Sequence, residues 1–469
     1  MSGSSKPTAV CPVSFFAKMM FPKNWSALLL LGMAFDVSAK SYDYIIVGGG
    51  TAGSALATRL SLGRPNAHIL LLEASPSALY ELRINVPGLR GSILGTNYDW
   101  NFTTVDQSGL GGRKISVNRG KALGGLSAMN YLCYDRAAAA EYEAWGEMGS
   151  EGWTWETMID AMTKSENFTG SDKDTRGRSG PIRNIYNRVV YDVLNTWQPA
   201  GKELGLPINE EGNMHGNPIG IMFQGTNIDD RDYKRSYSAN SHLPLAGSNL
   251  EVRTNTQVAK FNLKNNCGKG YTATSVTLAD GTVVEATKEV ILSAGSVQSP
   301  GLLELSGIGQ PAVIKAAGVT PLIDLPGDGF DSFDALIFDS SGENATAELK
   351  KWIDGEASLY EYTTAAYGFL NWGQHDAKFA RKIAETGLLK AFHKFAVDTI
   401  ASFYHTVGTC SLLPKADGGV VDAELRVYGT DNLCVVDSSI VPIIVSGHIQ
   451  TAAYGIAEVA AAKIIASAS

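Results

Sequence analysis

The chain is short of cysteine, of long apolar runs and of basic clusters, and each shortage closes off a class of protein. Its 469 residues include five cysteines, Cys11, Cys133, Cys267, Cys410 and Cys434, all far apart. No CxxC pair and no Cys/His cluster occurs, so no metal-binding pattern is present. With Cys11 set aside, the other four permit at most two disulfides, and their spacing does not choose a pairing. No Lys/Arg run points to nucleic acid, and a net charge of −8 with a pI of about 5.5 argues against an anionic membrane surface. Glycine, by contrast, is plentiful at 50 residues, spread along the chain in a way that reads as tight turns rather than repeats. At ~150 residues per domain the length fits about three units, or one large α/β enzyme with an inserted domain.

The apolar run at 26–39, SALLLLGMAFDVSA, is too short for the ~20 residues of a membrane-spanning helix. It follows Lys23 and ends in Val37-Ser38-Ala39, small residues at the positions a signal peptidase reads, which predicts a secretory leader over 1–39 and a secreted protein. A start at Met19 or Met20 would give the leader an ordinary length. A buried helix or a disordered leader is the other reading. Asn101, Asn167 and Asn344 each open an N-x-[ST] sequon, consistent with a secreted glycoprotein.

Residues 42–72 carry the first chemical signal. An apolar run at 44–47 leads into Gly48-x-Gly50-Thr51-Ala52-Gly53, a helix-like SALATRLS follows, and a second apolar run at 69–72 ends at Glu73. This order predicts a βαβ unit. Gly48 permits the tight turn, Gly50 lets backbone N–H groups approach a pyrophosphate, and Gly53 lets the helix pack on the strand. Glu73 stands where an acid can accept hydrogen bonds from ribose hydroxyls, and an acid rather than an arginine argues against a 2′-phosphate. The unit alone does not distinguish NAD from FAD.

Further motifs follow in order: RGKALGGLSAMNYLCYDR at 119–136, GSVQSPGLLELSGIG at 295–309, and then HTVGTC, GGVVD, LCVVDSSIVP and HIQTAAYGIAE between 405 and 458. Together with the N-terminal GGGTAG they resemble the glucose–methanol–choline family of FAD oxidoreductases, in particular its secreted fungal branch. The resemblance runs from 42 to 330 and from about 370 to 469. It implies an α/β protein: a Rossmann-like FAD-binding domain built from 40–155, 246–330 and 401–469, and an α+β substrate domain with a reduced antiparallel sheet from 156–245 and 331–400. Gly48, Gly50, Thr51, Ala52, Gly53 and Glu73 would hold the ADP half of FAD. Gly124, Gly125, Ser127 and Asn130 would lie along the flavin and its phosphates, and Val258 by the adenine. Asp437 and Ser438 would contact the ribityl chain and pyrophosphate. Gln450 and Thr451 would open the last helix beside the flavin pyrimidine, where a helix N-terminus can hold the charge of the reduced ring.

Within this resemblance His405 and His448 face flavin N5 from the substrate side. Oxidising an alcohol requires that the O–H proton be taken as the C–H hydride leaves, a task suited to a neutral imidazole. His405, heading HxxGT, is the leading base, and His448 orients the alcohol oxygen and shares the proton. His68, His215, His242, His375 and His393 match no motif and read as surface or structural. Met129 stands where some family members attach FAD through histidine, so noncovalent FAD is expected. An alcohol is the expected substrate and oxygen or a quinone the acceptor, with no nucleic acid and no membrane span.

The chain departs from the pattern in two places. Leu126 replaces the small residue usual in GGxS. After Leu325-Pro326-Gly327 the family's Asn-, Gln- and His-bearing stretch is missing, and 78 positions separate Gly327 from His405. Residues 374–400 read as an amphipathic helix, which places the loss between about 331 and 370. An opened pocket, a flavin-bound cyclase or dehydratase with no net redox, and a truncated inactive relative all fit that loss. A homodimer could cover the gap. Phe330, Phe333, Phe338, Trp352, Tyr360 and Tyr362 could line an apolar pocket or fill a core.

Overall fold

The run Tyr42–Val47 is apolar at nearly every position because it is covered on both faces, as a central parallel strand must be. In the computed structural model, which describes residues 41–170, 176–210, 214–327, 368–369, 394–395 and 397–467, it is strand β1. Strand β2 (Ile69–Leu72) pairs with it in parallel, and β3 (Leu250–Arg253) pairs with β2. On the other side lies β6 (Val283–Leu292), whose second half runs parallel to β1 and to β7 (Leu433–Val435). The first half of β6 instead joins β4 (Val258–Asn265) and β5 (Tyr271–Leu278) in an antiparallel meander. One strand therefore serves two pairings, and the parallel order is β3-β2-β1-β6-β7. Ile45, Ile46, Leu70 and Ile291 are fully buried, each contributing ~1.5–3 kcal/mol of apolar burial.

Helix α1 (Thr51–Gly63) is made largely of small residues, and nine of its side chains are buried. It needs them small because the last helix, here α5 (Ile449–Ser467), lies against it: a Cβ on Gly63 would come within 2.2 Å of Ile465. Arg59 and Glu458 join the pair at 2.7 Å. Between α1 and α5 in the chain come the short α2 (Leu126–Met129), α3 (Trp155–Ser165) and α4 (Gly295–Leu305). Helix α5 also crosses α3, where a Cβ on Gly455 would sit 2.8 Å from Met158. No helix among the described residues is long and apolar enough to cross a membrane, and no disulfide joins Cys133, Cys267, Cys410 or Cys434.

The C-terminal ends of β1, β2, β6 and β7 open onto one edge, the place where open α/β sheets bind ligands. Gly48, Glu73, Ser293 and Asp437 stand there. On the substrate side the antiparallel pairings are only two residues long among the described residues: Cys133–Tyr134 with Gly225–Thr226, and Gly220–Ile221 with Gly368–Phe369. A buried Glu166 accepts from Arg136 at 2.9 Å and Arg176 at 2.6 Å and binds this region together. The expected leader 1–39, Asn344, the six aromatics between 330 and 362, and His375 and His393 lie outside the described residues. So does most of 331–400, including nearly all of the helix expected at 374–400.

Candidate active site

One cavity of about 1410 Å³ runs from the sheet edge to the substrate side. That exceeds the ~300–1,000 Å³ of an ordinary small-ligand site. Gly48, Gly50, Thr51, Ala52 and Glu73 line one end, and Val258 lies beside them. Gly125, Ser127 and Asn130 line the middle, and Asp437, Ser438 and Gln450 the opposite wall. His405 and His448 close the far end. Gly53, Gly124 and Thr451 stand behind the wall. A Cβ on Gly53 would meet the Gly48 carbonyl at 2.0 Å, so its glycine serves helix–strand packing. Gly124 lies against the Tyr237 ring, with φ at +100°. The Thr451 hydroxyl donates to the Asp135 carbonyl at 2.7 Å.

These residues fit a dinucleotide. Gly50 is the informative one. A Cβ there would meet no described atom nearer than 3.9 Å, so protein packing does not require its glycine, whereas a ligand backing onto it does. Gly50 also precedes α1 without any side-chain cap, leaving the first N–H groups of that helix for a phosphate. Gly125, at φ +53°, approaches the Gly50 Cα so closely that a Cβ would sit 2.8 Å away, which joins the first loop to the RGKALGG loop. Glu73 accepts from Gly49 N at 2.7 Å and from Ser75 N at 3.0 Å, and burial raises its pKa despite these bonds. The Asp437 carboxylate accepts from Ser299 at 2.6 Å, Ser439 N at 2.8 Å and Gly295 N at 2.9 Å. Its side chain thus fixes the start of α4, and the residue meets the cavity beside Ser438. Asn130 donates to Gln450, tying α2 to the head of α5. Leu126 and Met129, the two unusual residues, both line the cavity.

The two histidines meet in the same cavity, His448 lying 313 residues of sequence from the carboxylate that orients it. The ring centroids of His405 and His448 are 5.4 Å apart and nearly perpendicular, with the Phe403 ring edge-on to His405 at 4.8 Å. The sequence reading missed Asp135. Its carboxylate lies 2.9 Å from His448 Nδ1 and accepts the His448 backbone N–H at 2.8 Å. It sits in the quoted NYLCYDR, yet no local periodicity could link it to a histidine so far along the chain. Burial lowers the His448 pKa, but the charge and hydrogen bond of Asp135, with Cys133, outweigh burial and push it up to about 10. His405 goes the other way: burial first, then the charge on His448, push it down to about 3. At neutral pH the pair therefore consists of one imidazolium and one neutral imidazole.

The same shifts set a stability profile. His405 and the buried His242, the latter pushed down to about 3 by burial and Arg59, bind fewer protons folded than unfolded. Their contribution is complete above the ordinary histidine value of ~6.5 and is lost as pH falls below it. His448 binds more protons folded, so its contribution is complete below ~6.5 and is lost as pH rises toward about 10. The melting temperature should peak between pH 6 and 7.5. A scan in which it keeps climbing from pH 7 to 9 would contradict the His448–Asp135 pairing.

The GMC oxidoreductase N-terminal family model matches residues 42–319 and the C-terminal model matches 334–457. Mala s 12, a GMC oxidoreductase family protein of Malassezia sympodialis, is 29% identical, with 92% of this chain and 94% of that protein covered. Pyranose dehydrogenase 3 of Leucoagaricus meleagris is 28% identical, covering 91% and 93%. The first alignment runs over 590 positions, more than the 469 residues of this chain, so that relative carries segments with no counterpart here. Among solved structures, an FAD-dependent oxidoreductase from Chaetomium thermophilum superposes with a TM-score of 0.74 at 23% identity, covering 91% of this chain and all of the other.

Proposed function

We propose a specific reaction for this chain, which belongs to the GMC oxidoreductase family and is an FAD-dependent oxidoreductase acting on CH–OH donors: oxidation of an alcohol to an aldehyde, ketone or lactone, with His405 as the base. FAD, when bound, supplies the hydride acceptor. Gly50, Thr51 and Ala52 would present uncapped N–H groups to its phosphates, with Gly48 shaping the turn, Glu73 would face the ribose, and Asn130 and Gln450 would lie beside the ring. The head of α5 carries the positive end of that helix. His448, held protonated by Asp135, donates to the alcohol oxygen and favours its ionisation. Neutral His405 takes the proton. The observation that carries this reading is the meeting of His405 and His448, the latter paired with Asp135, in one cavity that the glycine loop also lines.

Met129 in place of an attaching histidine supports noncovalent FAD. The likeness to pyranose dehydrogenase favours a sugar or another polyol, with a quinone or oxygen as the proposed acceptor, and the signal-like run at 26–39 favours a secreted protein. The test is an absorption spectrum of the purified protein, repeated anaerobically with D-glucose, benzyl alcohol and other primary and secondary alcohols. Flavin bands that bleach with an alcohol are the expected result. Bound flavin that no alcohol reduces, with turnover to a product of unchanged oxidation state, would transfer the assignment to a non-redox cyclase. A protein that takes up no FAD would end both readings.

A further inference from the structure

We infer that Arg119 is a positioning residue that clamps the strap carrying His405 from both sides of the histidine. The inference rests on His405 being the base. Arg119 is 6% exposed, and no carboxylate lies within ion-pair distance of its guanidinium among the described residues. Leaving such a cation buried is costly unless its donors are engaged. Two of the three guanidinium bonds reach the strap. Nη1 donates to the Tyr404 carbonyl at 2.9 Å and to the Asn118 carbonyl at 2.9 Å, while Nη2 donates to the Thr406 hydroxyl. The residues immediately before and after His405 are thus held by one planar fork, a geometry that lysine lacks.

The strap needs holding. Tyr404 has φ at +63°, a left-handed conformation unfavourable for a bulky residue, and it persists only where its surroundings over-determine it. Other bonds secure the flanks. Arg113 reaches the Ile400 carbonyl at 3.0 Å, Ser296 the Thr406 carbonyl at 2.6 Å, and Thr409 the Ser296 carbonyl at 2.6 Å. Arg119 itself is anchored from behind, its backbone N–H donating to Asp99 at 3.0 Å. The His405 ring, held through the residues on either side, is left to face the cavity and His448.

Electrostatics agree with the geometry. The charged groups that act on His405 are His448, Asp135 and Arg119; Asp135 favours its protonation, and His448 and Arg119 oppose it. Arg119 therefore helps keep the ring a neutral acceptor.

The experiment compares Arg119→Met and Arg119→Lys in the FAD-loaded protein. One readout is anaerobic flavin reduction by the alcohols named above. The other is a ¹³C-histidine NMR titration, with His405→Ala used to assign the resonance, which needs no substrate. The methionine variant should reduce flavin ~10–100-fold more slowly with KM nearly unchanged, and its His405 should titrate at a higher pH than in the wild type. The lysine variant should keep the wild-type titration, because the charge remains, but recover little of the rate, because the fork does not. Wild-type rate and titration in Arg119→Met would overturn the clamp. Full recovery of rate by lysine would overturn the requirement for the fork. If Arg119→Met does not fold, the lysine variant decides. His405→Ala separates the two levels: wild-type flavin reduction there sinks the base assignment and the clamp with it, whereas an inactive His405→Ala beside a normal Arg119→Met sinks the clamp alone.

Discussion

The His405→Ala variant is expected to bind FAD normally and to reduce it with alcohol ~10²–10⁴-fold more slowly than the wild type, the range typical for removal of a general base. Two features separate the cofactor from the loss. The phosphate cradle around Gly50 and α1 is made by other segments of the chain and shares no hydrogen bond with the His405 ring among the described residues. The His405 ring also has no hydrogen bond to another described residue, so truncation unties no network; its main described neighbours are Phe403 and His448. Visible absorption checks cofactor content, and stopped-flow bleaching checks the chemical step. An unchanged bleaching rate would remove His405 from the mechanism and leave His448 to be tested as the base. Because burial and His448 already depress the His405 pKa, the wild-type acid limb should lie below the ordinary histidine value of ~6.5.

The Asp135→Asn variant should reshape the alkaline side instead. Asparagine keeps the size of the side chain and an oxygen that can still accept the His448 backbone N–H. It removes the negative charge that holds His448 protonated. The wild-type rate should persist until His448 loses its proton near 10. Without the carboxylate burial dominates, so that limb should fall below the ordinary histidine value of ~6.5, and at pH 8 fewer than about one molecule in thirty would carry the imidazolium. The variant should therefore be impaired far more at pH 8 than at pH 5.5. Equal impairment at both values would mean that Asp135 acts through structure alone. Asp135→Ala goes further, leaving the Nδ1 side of His448 without its carboxylate. Breaking a buried pair in this way costs about 3–5 kcal/mol, and a large fall in melting temperature should accompany the kinetic effect.

Legibility in the sequence followed range. The βαβ unit was readable because its strand, glycine loop, helix and acid lie within some thirty residues and obey local periodicities. Gly50 and Gly53 were assigned different duties from spacing alone, and the structure gives one an open face and the other a backbone contact. Asn130 and Gln450 were each placed at the flavin by resemblance, but that they hold one another was not visible. Asp135 and Arg119 were quoted within a motif and given no role, since Asp135 acts on His448 and Arg119 on the residues flanking His405, each roughly three hundred residues downstream. Side-chain pairing across that distance leaves no trace in one sequence. Asp437 shows a third kind of limit. Its position at the cavity was foreseen, whereas the engagement of its carboxylate by the start of α4 depends on a crossing that only three dimensions reveal.

The contact between α1 and α5 bears on how the protein is made. Helix α1 and its two strands leave the ribosome well before the 19-residue helix Ile449–Ser467 that covers them. At ~5–20 residues per second, the interval between the two helices is roughly twenty seconds to a little over a minute. Throughout that time the small-residue face of α1 has no partner, and β1 waits for β6 and β7. The domain cannot close segment by segment as the chain emerges. It closes only after α5 has emerged, in a step dominated by contacts between segments far apart in the chain, the kind of topology that folds slowly and leans on chaperones to keep its unpaired edges apart.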